Sequence, residues 1–129
     1  MRFKVAISVS VLILVLPSAS VIAAEDLEHG RRIFRACASC HPIETTHSAF
    51  GPSLKDIVGR RVAAASDYSY SPAMQAAGDK GLVWDEAALA EFLVNPQAKM
   101  PGNKMRFWGL WKSQVDDVVA FMKTFSANQ

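Results

Sequence analysis

The sequence predicts one small domain that is built only from helices. Apolar residues recur at helical spacing over residues 25–36, 85–94 and 113–125. No stretch shows the alternation of apolar and polar residues that marks a half-buried strand, and there is no internal repeat. A chain of 129 residues has room for one such domain.

The amino terminus has the composition of a secretory signal peptide. Arg2 and Lys4 form a short positive region, an uncharged apolar run follows over residues 5–16, and small residues offer cleavage after Ala23 or Ala24. We therefore expect export to the periplasm, where an oxidising environment suits a chain with paired cysteines.

An uncleaved membrane anchor is the alternative, because residues 5–24 carry no charge and could just span a bilayer. Pro17 and the serines beside it argue against an anchor. The predicted organisation is a signal peptide at residues 1–24 and one domain at residues 25–129.

Removal of the signal peptide changes the charge of the protein. The chain has 14 Lys and Arg against 12 Asp and Glu, but two of the cations, Arg2 and Lys4, lie in the signal peptide. The remaining domain is therefore formally neutral, which gives no reason to expect a nucleic-acid partner.

The first helix is predicted over residues 25–36. Its acidic residues come early and its arginines late, the order that the helix macrodipole favours. Gly30 stands in the middle, where glycine costs about 1 kcal/mol relative to alanine. It indicates either a close approach by another helix or a weak helix start.

Cys37, Cys40 and His41 follow this helix in the pattern C-x-x-C-H, the attachment signature of a c-type haem. Two thiols at this spacing can add to the two vinyl groups of one porphyrin, and the next imidazole can ligate the iron. The cysteines also fit a disulfide, half of a zinc site or a thiol redox site. With only two cysteines and no α/β pattern, zinc and thioredoxin-like sites are disfavoured.

The middle of the chain predicts a loop over residues 42–58 and then a short helix. That helix is expected to start at Ser71 or Pro72, because proline suits the first helical position. Gly78 and Gly81 are expected to close it.

Two further helices are predicted in the last third of the chain. Asp85 is a plausible N-cap for residues 85–94, and the Asn-Pro pair that follows stops this helix. The last helix is predicted to start at Ser113, with Asp116 completing a capping box.

A set of spaced residues runs through residues 30–123. It consists of Gly30, Phe34, Cys37, Cys40, His41, Gly51, Pro52, Leu54, Gly59, Arg60, Tyr70, Trp84, Asn95, Pro96, residues 101–105 and residues 117–123. Through this set, in order and spacing, the chain resembles the class I cytochromes c, especially the bacterial c2-like and mitochondrial types.

The resemblance implies a cytochrome c fold, in which four or five helices wrap around one haem. It implies that this haem c is attached covalently through Cys37 and Cys40, and that His41 and Met105 ligate its iron. It also implies that the first and last helices cross near Gly30.

The resemblance further assigns four residues to binding the haem. Pro52 is expected to accept the ring N–H of the histidine ligand through its carbonyl. Arg60, Tyr70 and Trp84 match positions that hydrogen-bond the buried propionates, although ordinary core or surface roles are the alternative for the first two.

Two departures from the family pattern affect this expected site. Phe92 stands where the family often has a tyrosine whose hydroxyl reaches the methionine ligand, and phenylalanine cannot donate a hydrogen bond. Asn103 stands where the family commonly has threonine, which leaves one propionate contact in question.

The resemblance implies a one-electron carrier and not an enzyme, because two axial ligands leave the iron no open position for substrate. Expected partners are redox proteins: a periplasmic dehydrogenase, a cytochrome bc1-type complex, or a terminal oxidase or reductase of a respiratory chain. The carrier itself is expected to be monomeric and to meet membranes only through partner complexes.

Two other functions stay open from the sequence. A haem enzyme or sensor with a labile sixth ligand, peroxidase-like or gas-binding, is slightly favoured by Phe92. A thiol-disulfide oxidoreductase would use Cys37 and Cys40.

The resemblance also implies that partners dock where the haem edge emerges. The residues expected there are Arg32, Lys104, Phe107 and Lys112. Mitochondrial relatives surround this edge with lysines, but the matching positions here hold the uncharged Ala36, Gln97 and Trp111, with Trp108 close in sequence. We expect a face that is apolar at its centre with few cations, unless Trp111 simply packs under the last helix.

Overall fold

The computed structural model describes residues 19–127, which form five helices and one short pair of strands. The elements are α1 (Ala19–Ala38), β1 (Arg60–Arg61), α2 (Pro72–Asp79), β2 (Val83–Trp84), α3 (Glu86–Val94), α4 (Pro96–Lys99) and α5 (Lys112–Lys123). In this part of the chain, no helix combines the length and apolar character that crossing a membrane requires.

The predicted signal peptide lies mostly outside the described residues, since residues 1–18 are not among them. The α1 helix begins at Ala19 and not at the predicted residue 25, so the expected cleavage point falls within it. Cleavage there would shorten the helix to its predicted start. At its other end α1 runs to Ala38 and thereby includes Cys37.

The predicted starts of two helices are confirmed. Ser71 precedes α2, and its hydroxyl accepts a hydrogen bond from the backbone N–H of Met74 at 3.2 Å. Asp85 precedes α3 and accepts from the N–H of Ala88 at 2.7 Å. Each cap satisfies a backbone donor that has no partner within its own helix.

Two local predictions were wrong. Gly78 does not close α2 but lies buried inside it, where a Cβ would come within 2.3 Å of the carbonyl oxygen of Val62. The α5 helix begins one residue before Ser113, and the backbone N–H of Trp111 donates to the side chain of Gln114 at 3.1 Å in place of the predicted Ser113 box.

The Asn-Pro pair ends α3 at Val94 as predicted. It also starts a further turn, because Asn95 caps α4.

The strand pair was not predicted. Arg60 lies opposite Trp84, and Arg61 lies opposite Val83, in an antiparallel ladder. Strands of two residues are too short to show an alternating pattern in the sequence. Their pairing nevertheless decides which residues of two distant loops become neighbours.

The crossing of α1 and α5 confirms the close approach expected at Gly30. A Cβ at Gly30 would lie 2.1 Å from the carbonyl oxygen of Asp117 and 2.9 Å from the Cβ of Phe121. Beside this contact the rings of Phe34 and Phe121 pack with centroids 5.4 Å apart. The Nδ1 atom of His29 also lies 2.5 Å from the Asp117 carboxylate.

The core joins α5 to α3 and to the end of α1. Its buried side chains are Phe34, Leu89, Phe92, Leu93, Val115, Val118, Val119 and Met122, with Ile43, Ile57, Val62, Ala77 and Trp84 from the connecting segments. The predicted apolar positions of the two late helices therefore do face the interior, as their spacing indicates.

We expect Gly30→Ala to destabilise the holoprotein by about 2 kcal/mol, because the new methyl group overlaps the α5 backbone and the helices must separate. Guanidinium unfolding followed by helical circular dichroism measures the loss. Gly81→Ala is the control. No atom lies within 4 Å of a Cβ there, so its cost comes only from a positive φ of 79°. A Gly30→Ala protein as stable as the wild type would contradict the crossing.

Candidate functional site

A cavity of about 220 Å³ opens between α1, α3, α5 and the connecting segments. All eight residues that the sequence proposed for the site line it: Cys37, Cys40, His41, Pro52, Arg60, Tyr70, Trp84 and Met105. They come from positions up to 68 residues apart, so the fold and not local sequence brings them together.

The end of α1 brings both cysteines and the histidine to the cavity. The carbonyl oxygen of Cys37 accepts hydrogen bonds from the N–H of Cys40 at 3.0 Å and from that of His41 at 2.9 Å. This turn ends the helix and reverses the chain. As a result, three side chains within five residues all reach the cavity wall.

The ring of His41 is fixed by the next loop. Its Nδ1 atom lies 2.8 Å from the carbonyl oxygen of Pro52. Because a carbonyl can only accept, Nδ1 donates, and the lone pair of Nε2 is left for a ligand. Gly51 packs on the ring so closely that a Cβ would lie 2.5 Å from His41 Cε1.

Burial also favours the neutral imidazole. Desolvation lowers the pKa of His41, and the hydrogen bond to Pro52 acts in the opposite direction with less effect. The neutral ring is the form that binds a metal.

The guanidinium of Arg60 is held by two backbone carbonyls. Its Nη1 donates to Lys55 at 2.9 Å and its Nη2 to Ser53 at 2.7 Å. Its Nε is buried and has no hydrogen-bond partner among the described residues. A buried N–H without an acceptor lowers the stability of the folded protein. An anionic or polar group bound in the cavity would supply the acceptor that the Nε of Arg60 lacks.

Tyr70 offers a second hydrogen-bonding group in this part of the wall. Its hydroxyl oxygen accepts from the N–H of Ala65 at 3.3 Å, and its ring packs edge-on against Tyr68. Burial raises the pKa of Tyr70, which keeps the phenol protonated and able to donate. A carboxylate, such as a haem propionate, fits between donors of this kind.

The remaining wall is largely apolar, and of its members sequence reasoning placed only Phe92 near the site. It includes Leu54, Ile57, Leu89, Phe92, Leu93, Val118 and Met122. Phe92 packs against Trp84 with ring centroids 5.1 Å apart. Apolar walls with a few converging polar groups suit a porphyrin, so the residues present fit the haem that the motif predicts.

The thiol of Cys37 is poorly suited to disulfide exchange. Burial raises the pKa of Cys37 to about 11, and the charge of Cys40 acts in the same direction. Exchange needs the thiolate, which such a thiol hardly forms near neutral pH. The thiol-disulfide alternative is therefore disfavoured.

Among the described residues, three methionines reach the cavity. Met105, Met74 and Met122 all line it, whereas Met100 packs against the core from outside the lining. Met122 is buried in the packed face of α5, and Met74 lies in the first turn of α2. Met105 lies in the segment between α4 and α5, outside any helix or strand.

The mouth of the cavity is aromatic and cationic. Lys104, Arg106 and Phe107 line it, and within residues 19–127 no Asp or Glu contributes to the lining. The side chains of Trp108 and Trp111 are 98% and 79% exposed, so Trp111 does not pack under the last helix. Sequence reasoning overlooked Arg106.

Comparisons with known proteins agree with this geometry. The family model described as cytochrome c matches residues 27–126. The chain is 41% identical to cytochrome c2 of Afifella marina over 101 residues, which cover 77% of this chain and 82% of the relative.

Two solved structures share the fold. Cytochrome cH from Methylobacterium extorquens aligns with a TM-score of 0.69 at 38% identity, over 77% of this chain and 98% of that chain. Cytochrome c2 from Rhodospirillum centenum aligns with a TM-score of 0.73 at 28% identity, over 78% and 98% of the two chains.

Gly51→Ala should push the ring of His41 away from Pro52 and cost about 1–3 kcal/mol of stability, as overpacking does. The ring N–H resonance of His41 should also shift, because its hydrogen bond is broken. Gly59→Ala is the control, since no atom lies within 4 Å of a Cβ at Gly59 and its cost comes only from a positive φ of 86°. An unchanged resonance in Gly51→Ala would show that the glycine does not position the histidine.

Proposed function

The chain belongs to the cytochrome c family and is a monohaem electron carrier with covalently bound haem c, and we propose that Cys37 and Cys40 form the attachment and that His41 and Met105 ligate the iron. The convergence of all eight proposed residues on one apolar cavity supports this assignment most directly. When bound, the haem supplies a reversible one-electron couple between Fe(III) and Fe(II).

The protein's own residues set the environment of that couple. Pro52 holds His41 in one orientation and makes the ring a better ligand. A thioether ligand favours Fe(II) and so raises the potential. The apolar walls from α3 and α5 keep water away from the cavity, which further limits stabilisation of the more highly charged oxidised state.

We assign Arg60, Tyr70 and Trp84 to the propionates. The buried Nε of Arg60 lacks an acceptor within the described residues, and Trp84 is its neighbour across the strand pair. A carboxylate that leaves water needs such donors to remain charged.

Met105 is preferred over the other methionines that reach the cavity. Met122 is 3% exposed and belongs to the packing between α5 and its neighbours. Met74 is fixed in the first turn of α2, where Ser71 caps its backbone, close to the proposed propionate donors. The segment of Met105 belongs to no helix, so its sulfur can be directed inward without disturbing the core.

We expect Met105→Ala to abolish the thioether-to-iron charge-transfer band of the ferric protein and to lower the midpoint potential. Absorbance spectroscopy and a redox titration measure the two effects, with Met74→Leu as a control that should retain both. The wild-type ferrous protein should not bind carbon monoxide readily, whereas Met105→Ala should. Ready binding by the wild type would instead favour an enzyme or sensor with a labile sixth ligand.

Export to the periplasm, with cleavage after Ala23 or Ala24, completes the proposal. The positive and apolar sequence of residues 1–24 supports it. The family match begins at residue 27, which agrees with a mature domain over residues 25–129.

We further propose that redox proteins dock at the cavity mouth. The candidates are a periplasmic dehydrogenase, a cytochrome bc1-type complex or a terminal oxidase or reductase. The exposed Trp108 and Trp111 provide apolar area, and Lys104 and Arg106 favour a partner with acidic residues at its rim. Rapid turnover of a carrier requires weak binding, so the interface should bury less than about 1,200 Å².

Trp111→Ala and Trp108→Ala should slow electron transfer to the partner more than Lys112→Ala does, because aromatic side chains contribute more to binding than exposed charges at the rim. Stopped-flow oxidation by respiratory membranes of the source organism, across a salt series, measures this. With few cations present, the salt dependence should be shallow. A steep salt dependence with unaffected tryptophan variants would contradict the apolar docking face.

A further inference from the structure

Asn103 lies two residues before Met105, which lines the cavity, and its side chain is buried and hydrogen-bonded at both ends. It is 7% exposed, and its Nδ2 donates to the carbonyl oxygens of Pro96 at 2.9 Å and of Met100 at 2.8 Å. Its Oδ1 accepts from the backbone N–H of Met105 at 2.9 Å and lies 3.4 Å from Nε2 of Gln97. Both ends of the amide are thus used inside the protein.

We call residues 100–105 the Met105 loop. The bonds of Asn103 tie this loop together at Met100 and Met105 and join it to Pro96 of α4. Gly102 has a positive φ of 85°, which permits the reversal of the chain. Gln97 adds a second tie by donating from Nε2 to the carbonyl oxygen of Met105 at 2.7 Å. Both backbone polar groups of Met105 are therefore held by side chains.

Threonine, which the family commonly has at this position, could not replace Asn103 in these bonds. A threonine hydroxyl has one hydrogen to donate, whereas Asn103 donates two and accepts through a separate atom. Threonine could not make the same three backbone bonds. Asn103 therefore bonds to the loop and to α4, and not to a propionate.

We propose that Asn103 is a positioning residue that keeps the Met105 loop closed, and that it thereby limits access of competing ligands to the iron. The proposal rests on Met105 being the sixth ligand. Because Met105 lies outside the helices, no ladder of backbone bonds holds it, and opening of the loop requires the bonds of Asn103 to break. The stability of this loop then determines how often the sixth position becomes available.

Imidazole binding to the ferric holoprotein tests the proposal, because imidazole can bind only when the loop has opened. Asn103→Ala should bind imidazole about tenfold more tightly than wild type, a factor that corresponds to about 1.4 kcal/mol. Without imidazole, both proteins should retain the charge-transfer band. The amide hydrogen of Met105 should also exchange faster in Asn103→Ala, because its acceptor is lost.

Asn103→Asp provides a second variant of nearly the same shape. It keeps an acceptor for the N–H of Met105 but places an oxygen against the carbonyls of Pro96 and Met100, so it should also increase imidazole affinity. Asn95→Ala is the matched control. Asn95 caps α4 by accepting from the N–H of Ala98 at 3.1 Å and makes no hydrogen bond to Met105.

The outcomes separate this inference from the ligand assignment. Imidazole affinities of both Asn103 variants within twofold of Asn95→Ala, with loss of the charge-transfer band in Met105→Ala, would overturn the loop proposal alone. Retention of that band in Met105→Ala would overturn the ligand assignment and this inference with it. A tenfold increase confined to the Asn103 variants supports the proposal.

Discussion

The contact between Gly30 of α1 and the backbone of α5 positions one whole side of the site. With no side chain at Gly30, the helices approach until a Cβ would lie 2.1 Å from a carbonyl oxygen. Cys37 near the end of α1 and His41 just after it then line the same cavity as Val118 of α5. The geometry of the haem attachment therefore depends on a packing contact that itself takes no part in the chemistry.

The core and the cavity are made from the same residues. A small domain such as the one matched over residues 27–126 has little interior of its own, and its apolar side chains on α3 and α5 also form the cavity wall. The bound porphyrin thus completes the core as well as supplying the redox centre. The buried Nε of Arg60 agrees with this role of the porphyrin. It has no acceptor among the described residues, so its N–H is left to donate to the bound group.

The two proposed iron ligands are held by different means. His41 follows a helix directly and is fixed by one carbonyl and by the close packing of Gly51. Met105 lies in a loop in which the side chains of Asn103 and Gln97 hold its backbone. Side-chain bonds of this kind break more readily than a helix unfolds, so the methionine side is the natural place for ligand exchange to be controlled. Trp108 and Trp111, which follow Met105 closely in the sequence, are exposed and form the proposed docking surface.

The sequence by itself determined the features that depend on neighbouring residues. These include the haem motif, the start of α2, the cap at Asp85 and the apolar faces of the helices, because they depend on residues only a few positions apart. The family resemblance added the other five residues proposed for the site, which are Pro52, Arg60, Tyr70, Trp84 and Met105. Only the tertiary structure decided that Arg60 pairs with Trp84 and that the side chain of Asn103 bonds to the backbone of its own loop and of α4. The sequence does not show that the segments joined by such contacts lie close together in space. The contacts form only once the helices have packed.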